Sequence, residues 1–501
     1  MKRLIKWCFA FLFVCIAVIV AGQTNNIKPR TIVTTDGEVD DQDSFIRLLL
    51  YSNDLNLVGL IYSSSQWHYK GDGKGTLFTS EMKYTAERYG KRADLRWPGT
   101  SWMQSFIDKY ALVYNNLILH DKNYPTPQYL KSIIKTGNID FEGEMDHDTE
   151  GSDFIKNILL DDKPGPVYLQ IWGGTNTVAR ALKSIEDEFK NSAQWKNIYK
   201  KVSDKAILYT VLDQDATYQK YVAPNWPDIR VMYNSDQFWC LAYPWPQFVP
   251  KELQETLKGK WMAEHIKFNH GPLLTTYYLW GDGQKIDGDP EHTHGDTAEV
   301  RKYNLTQYDF ISEGDSPSFL YLLDIGLRSK EDAAYGSWGG RMVKSAVNPH
   351  RWEDGKTVTD YNPFTKKEDA AYPQTRWIPA LQNDFAARAD WCVKSFNKAN
   401  HAPIVKLKSA VDVKAKAGET IKLSGFASDI DKNSLNYRWW QYEEVGTYKG
   451  KINIDNASEV NANFIIPKDA KSDETIHVIL EVTDDGTPAL TRYQMVIVTV
   501  R

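Results

Sequence analysis

Short apolar runs of strand length alternate with stretches of helical apolar period from about residue 31 to residue 400, and this alternation constrains the fold more than any other feature. Thr31-Ile32-Val33 leads into the helical Ser44-Phe45-Ile46-Arg47-Leu48-Leu49-Leu50, and Leu57-Val58-Gly59-Leu60-Ile61-Tyr62 follows. Further on, Val167-Tyr168-Leu169-Gln170-Ile171 precedes Val178-Ala179-Arg180-Ala181-Leu182. Strands that alternate with helices form βαβ units, so an α/β fold with a mostly parallel sheet flanked by helices is predicted for residues 28–400. Ligands of such sheets bind beyond the carboxyl ends of the strands, and the loops there are the ones to read for chemistry.

The pattern changes after Asn400-His401-Ala402-Pro403. Helical periods disappear, and short strand-like runs such as Thr420–Ser424, Leu435–Trp440, Ile476–Val482 and Tyr493–Val498 are separated by Gly/Asp turns. About a hundred residues of this kind predict a β-sandwich over 403–501 with its own core. On that reading a chain cut after about Ala399 stays folded. At the other end, Lys2, Arg3 and Lys6 precede an apolar run from Trp7 to Ala21, with Val20 and Gly22 before a cleavage point. Residues 1–22 read as a signal peptide, which predicts a secreted or periplasmic protein. No later segment reaches the ~20 apolar residues a spanning helix needs, so no stable membrane insertion is expected. The formal net charge is −5 without a Lys/Arg block, which argues against nucleic acid as a partner. Oligomeric state is left open. Cys240 and Cys392 follow the signal, each preceded by a tryptophan, and fit either a disulfide or two buried thiols. The 17 Trp and 28 Tyr exceed what a core needs, and flat rings suit stacking on sugars.

Asp36-Gly37-Glu38-Val39-Asp40-Asp41-Gln42-Asp43 lies between the first strand and the first helix. Five carboxylates in eight residues repel one another, and a hard divalent cation relieves that cost; a solvated helix cap is the plainer alternative. Strand, Asp-x-x-x-Asp-Asp, then helix is similar to the N-terminal signature of inosine/uridine-type nucleoside hydrolases. The resemblance implies calcium as cofactor, with Asp36 as ligand and general base, Asp41 as ligand and Asp40 as a sugar contact. Gly173-Gly174-Thr175-Asn176-Thr177 resembles the family's loop that offers a carbonyl to calcium, through Thr175 or Asn176. Glu313-Gly314-Asp315-Ser316-Pro317 resembles the segment with the remaining ligand, which makes Asp315 that ligand. The chain departs from the pattern at Thr34, at Gly37-Glu38 and at Gly314, where some members carry a histidine directed to the nucleobase.

Ser63-Ser64-Ser65-Gln66-Trp67-His68 follows the second strand, so Gln66, Trp67 and His68 are candidate substrate contacts. Asn225, Trp226 and Trp338, in Asn-Trp-Pro and Trp-Gly-Gly-Arg, are candidate sugar-lining residues. His292 and His294 read as part of a solvated loop. Exported hydrolase-like domain, tryptophan surplus and β-tail together resemble a secreted bacterial group of nucleoside hydrolase-like, cellulose-binding proteins with an immunoglobulin-like C-terminal domain. The resemblance implies a calcium-dependent hydrolase of a glycosidic bond in a glycoside or plant-glycan fragment. The alternative is a carbohydrate-binding protein that keeps the fold without turnover.

Overall fold

A computed structural model describes residues 28–501. The expected signal peptide lies outside these residues. Eight strands form the main sheet: β1 (Arg30–Thr35), β2 (Asn56–Tyr62), β3 (Ile134–Thr136), β4 (Val167–Ile171), β5 (Ala206–Val211), β6 (Arg230–Asn234), β7 (Val343–Lys344) and β8 (Arg351–Glu353). Their order is β3-β2-β1-β4-β5-β6-β8-β7. All neighbours pair in parallel except β7 with β8. The strands are apolar on both faces because helices cover both. On one face, α1 (Val39–Tyr51), α2 (Trp102–His120) and α3 (Ile378–Trp391) contribute to a core with Val33, Leu60, Tyr209 and Met232. On the other, Ile32, Ile61, Ile171 and Leu208 pack with the helices Glu150–Leu160, Asn176–Phe189 and Trp195–Lys205.

The chain leaves β1 towards β2 and later returns on the opposite side, to β4. The sheet order therefore reverses between β1 and β4, and their carboxyl ends flank a crevice. Helix α1 enters that crevice and is buried on nearly every side: Asp41 to Tyr51 are all buried. Such a helix is expected to be apolar all round. This one buries Asp41, Gln42, Asp43, Ser44 and Arg47, and each needs a partner.

The C-terminal region is the expected β-sandwich. One sheet has the order Ile404–Leu407, Thr420–Ser428, Asn461–Ile465, Ile454–Asp455. The other has Asp412–Ala415, β10 (Thr491–Val500), β9 (Thr475–Asp484) and Leu435–Gln441. The even-numbered residues Ile476, Val478, Leu480, Val496 and Val498 fill the space between the sheets with Trp439 and Phe464. The odd-numbered Ile479, Tyr493, Met495 and Ile497 belong instead to the main domain's core. The tail has its own core, as expected, but its second sheet is also buried against the main domain, which its outward-facing apolar residues require. Cys240 and Cys392 are both buried free thiols. No described helix is long and apolar enough to cross a membrane.

Candidate functional site

Glycine permits the close approach at the switch point. A Cβ on Gly173 would stand 3.0 Å from the Asp36 side chain, and one on Gly174 would stand 2.4 Å from Asp215 Oδ2. Asp215 accepts from the backbone N–H of Asn176 (2.9 Å), closing the start of the following helix. Gly37, at φ +84°, turns the chain from β1 into α1, where any side chain would also meet Trp102 and Pro98.

Three aspartates converge beyond this turn. Asp40, Asp41 and Asp315 each offer a carboxylate oxygen within 4.8 Å of the other two. Asp41 and Asp315 are each 2% exposed, and Asp40 is half-buried. Thr35 donates to Asp41, and Ser312 Oγ lies 3.4 Å from Asp40 Oδ2. Burial first, then repulsion (from Glu38 and Asp36 on Asp40, from Asp36, Asp315 and Asp40 on Asp41, and from Asp40, Asp36 and Glu38 on Asp315), pushes all three carboxyls well above the ordinary range. Asp36 behaves oppositely. Burial raises its pKa, but the nearby His68, with help from Ser65 and Asp41, more than offsets that and holds it low. His68 Nδ1 lies 3.6 Å from Asp36 Oδ2, and His68 Nε2 lies 3.6 Å from Asp289 Oδ2. Burial and Arg96 oppose protonation of His68, yet Asp289 and Asp36 prevail and its pKa is raised to about 9. Arg96 in turn grips Asp289 with two 2.8 Å bonds and lies 3.8 Å from Glu38. Among the described residues, the acids Asp36, Glu38 and Asp289 pair with two cations, His68 and Arg96, and Asp40, Asp41 and Asp315 lie beside them. Asp40, Asp41 and Asp315 are a carboxylate group that could hold a hard divalent cation.

Above the carboxylates opens a cavity of about 390 Å³. Its floor includes Asp40, Asp41 and Asp315, and its walls carry Trp67, Tyr84, Trp239, Tyr243, Trp280 and Tyr303. Trp67 meets Tyr84 edge-on, and His294 stacks on Tyr243 while meeting Trp280 edge-on. An apolar aromatic wall around a few convergent polar groups is the usual form of a small-molecule site.

The structure brings some expected residues together and separates others. Asp40, Asp41, Asp315 and Trp67 line the cavity, while Asp36 and His68 are buried next to it and are not among its lining residues. Gln66 is turned away, its side-chain oxygen accepting from Thr85 (2.7 Å). The Thr175 carbonyl accepts from Ala179 N (2.9 Å), and the Asn176 amide donates to Ser64 Oγ (2.9 Å) and Asn138 O (3.0 Å). Asn225 and Trp226 do not reach the site. They precede β6 and so sit at the amino edge of the sheet, where Trp226 is buried against Trp195 and Tyr199. Trp338 is fully buried in the core, with Arg492 of the tail over its ring, and cannot stack on a ligand. His292 and His294 are not in a solvated loop: His292 is buried and His294 lines the cavity. Sequence reading missed Trp239, Tyr243, Trp280, Arg96 and Asp289. Trp239 and Tyr243 follow β6 at its carboxyl edge, and recognising that strand is what could have found them.

Comparison with known proteins agrees with this fold. The family model described as cellulose-binding Sde182, nucleoside hydrolase-like domain, matches residues 30–342, and that of cellulose-binding protein Sde0182, C-terminal domain, matches 420–500. A solved nucleoside hydrolase-related protein from Saccharophagus degradans, described as associated with carbohydrate metabolism, is 25% identical with a TM-score of 0.69. That alignment covers 95% of this chain and 100% of the other. A plant nucleoside hydrolase, PpNRh1, aligns over 73% of this chain and 99% of its own at 10% identity and TM-score 0.31, too distant to carry argument. No curated protein matches the chain. With both of its regions matched in order, the chain belongs to the family of Sde182 cellulose-binding proteins with a nucleoside hydrolase-like domain.

Proposed function

We propose that the cavity binds a carbohydrate around a calcium ion held by Asp40, Asp41 and Asp315. The convergence of three buried carboxylates on the floor of an aromatic-walled cavity carries this reading. The family's description as cellulose-binding and the relative's link to carbohydrate metabolism support it. A bound calcium supplies positive charge that anchors adjacent sugar hydroxyls and acidifies a nearby water. The aromatic walls would stack on the apolar faces of the sugar, and Asp40, the most accessible of the three, would also accept from a hydroxyl.

A second reading, hydrolysis of a glycosidic bond, is favoured by Asp36. Among the four aspartates it is the one whose pKa is lowered, with His68 Nδ1 3.6 Å from its Oδ2. Asp36 would take a proton from the attacking water as the bond at C1 breaks through an oxocarbenium-like state, and single displacement would invert that carbon. The full chain, stripped of metal, should gain thermal stability on adding calcium. It should then bind cello-oligosaccharides in calorimetry, and chelation should remove that binding. No thermal shift with any divalent ion would overturn the metal reading. Calcium binding without affinity for any glycan tried would overturn the carbohydrate reading. Release of reducing sugar would establish turnover.

A further inference from the structure

Two aspartates of the C-terminal domain are each half satisfied. Asp484, at the end of β9 and 1% exposed, accepts on Oδ1 from Asn400 Nδ2 (3.0 Å), Gly486 N (2.9 Å) and Leu490 N (3.0 Å). Its Oδ2 is buried with no partner among the described residues. Asp429 repeats the arrangement. Its Oδ1 accepts from Asp431 N (2.8 Å) and Asn433 N (3.1 Å), and its Oδ2 is likewise buried and unpartnered. Leaving one buried carboxylate oxygen bare costs free energy, and leaving two on neighbouring carboxylates adds their repulsion. Burial and the nearby Asp429 both raise the Asp484 pKa, although its three donors oppose them.

No Lys or Arg among the described residues pairs with either group. His401 does not relieve them, because its ring is engaged by the Asp431 carboxylate (3.0 Å). The Asn433 amide donates to Asn400 Oδ1 (2.7 Å) beside them. A cavity of about 450 Å³ opens alongside, lined by Asn400, Asp431, Asn433 and Gly486 and also by Lys398 and Lys432, neither of which pairs with Asp429 or Asp484.

We propose that loops 429–433 and 484–486 hold a second calcium ion between Asp429 and Asp484, separate from the cavity of the main domain. The available donors are carboxylate, amide and backbone oxygens, which is hard-cation chemistry without a nitrogen or sulfur ligand. Asn400 joins the two domains and donates to Asp484, so an ion here fixes the joint as well as the loops.

Calcium chloride titrated calorimetrically into metal-stripped full chain tests this. Wild type should bind about two ions per chain, and Asp484→Asn and Asp429→Asn should each bind about one fewer. Asp315→Asn should retain the tail ion. In chelator, Asp429→Asn should melt no lower than wild type, because it removes repulsion rather than a contact. Undiminished stoichiometry in Asp429→Asn and Asp484→Asn overturns the proposal. Should Asp484→Asn fail to fold, Asp429→Asn decides alone. A single ion abolished by Asp315→Asn also overturns it while leaving the cavity reading intact. A single ion abolished by Asp429→Asn but kept by Asp315→Asn supports it and removes the cavity's ion instead.

Discussion

Arg47 on α1 has no exposed side chain, and its guanidinium holds Glu313 through Nε and through Nη2 at 2.9 Å. Nη2 also donates to Gln382 Oε1 (2.6 Å). Glu313 stands two residues from Asp315, so this pair sets one side of the carboxylate cluster against the other. Replacing Arg47 by Met leaves Glu313 buried and unbalanced, which typically costs about 3–5 kcal/mol. Denaturant unfolding should show a loss of that order, and calcium affinity should fall with it. A loss below about 1 kcal/mol would mean that Glu313 is neutralised some other way. Asp36→Asn separates binder from enzyme. If the protein turns over a glycoside, this variant should lose ~10²–10⁴ in rate with excess calcium present. Full recovery with calcium would reduce Asp36 to a metal ligand. The acidic loop was legible in the sequence because its five carboxylates fall within eight residues between a strand and a helix. Of the walls, Trp67 was legible because it closely follows β2 at the carboxyl edge, whereas Trp239 and Trp280 were not, since they reach the cavity only through long loops. Trp226 misled because β6 went unrecognised, and without that strand nothing marks the residue as lying at the wrong edge.

At the scale of single strands, β9 shows how a sandwich strand can be buried on both faces. Its even-numbered residues were readable as core, and its odd-numbered ones look like an outer face in sequence. His477 is one of these, only 3% exposed and 5.1 Å from the Tyr335 ring. Burial first, then Arg328, lowers its pKa from 6.5 to about 4, against the weaker pull of Asp332 and Asp412. The unfolded chain therefore takes up a proton below pH 6.5 that the folded protein refuses until about pH 4. The folded pKa is depressed, so the neutral histidine's contribution is present above 6.5 and lost as pH falls towards 4. The shift corresponds to about 3 kcal/mol. His477→Gln should abolish that share of the pH dependence in melts between pH 6.5 and 4, while wild type keeps it. Parallel curves for the two proteins would assign the effect to another group.

For the whole molecule, the boundary near residue 400 was legible as a change of period, but the dependence of one domain on the other was not. Composition marks where elements stop alternating; it does not show which sheet face a neighbour covers. Tyr442, Ile479, Tyr493, Met495 and Ile497 of the tail share one core with Trp338, Trp377 and Phe385 of the main domain. Polar contacts cross the same surface. Tyr442 donates to Asp360 Oδ2 (2.7 Å), Arg492 pairs with Asp384 (2.8 Å), and Tyr493 N donates to Ile325 O (2.9 Å). Burying an apolar side chain of this size contributes about 1.5–3 kcal/mol, so five of them contribute on the order of 10 kcal/mol. That equals the whole stability of an ordinary domain, about 5–15 kcal/mol. Residues 28–399 alone should therefore aggregate or melt far below the full chain, contrary to the independence that the sequence implies. Cutting there also exposes Trp338 and Trp377 as a sticky patch and takes the Arg492 cation from the buried Asp384. Adding separately made 403–501 should recover part of the loss, because that piece keeps its own core of Trp439, Phe464, Val478 and Val498. A truncated protein that stays monomeric and melts cooperatively within a few degrees of the full chain would show that the shared face contributes little.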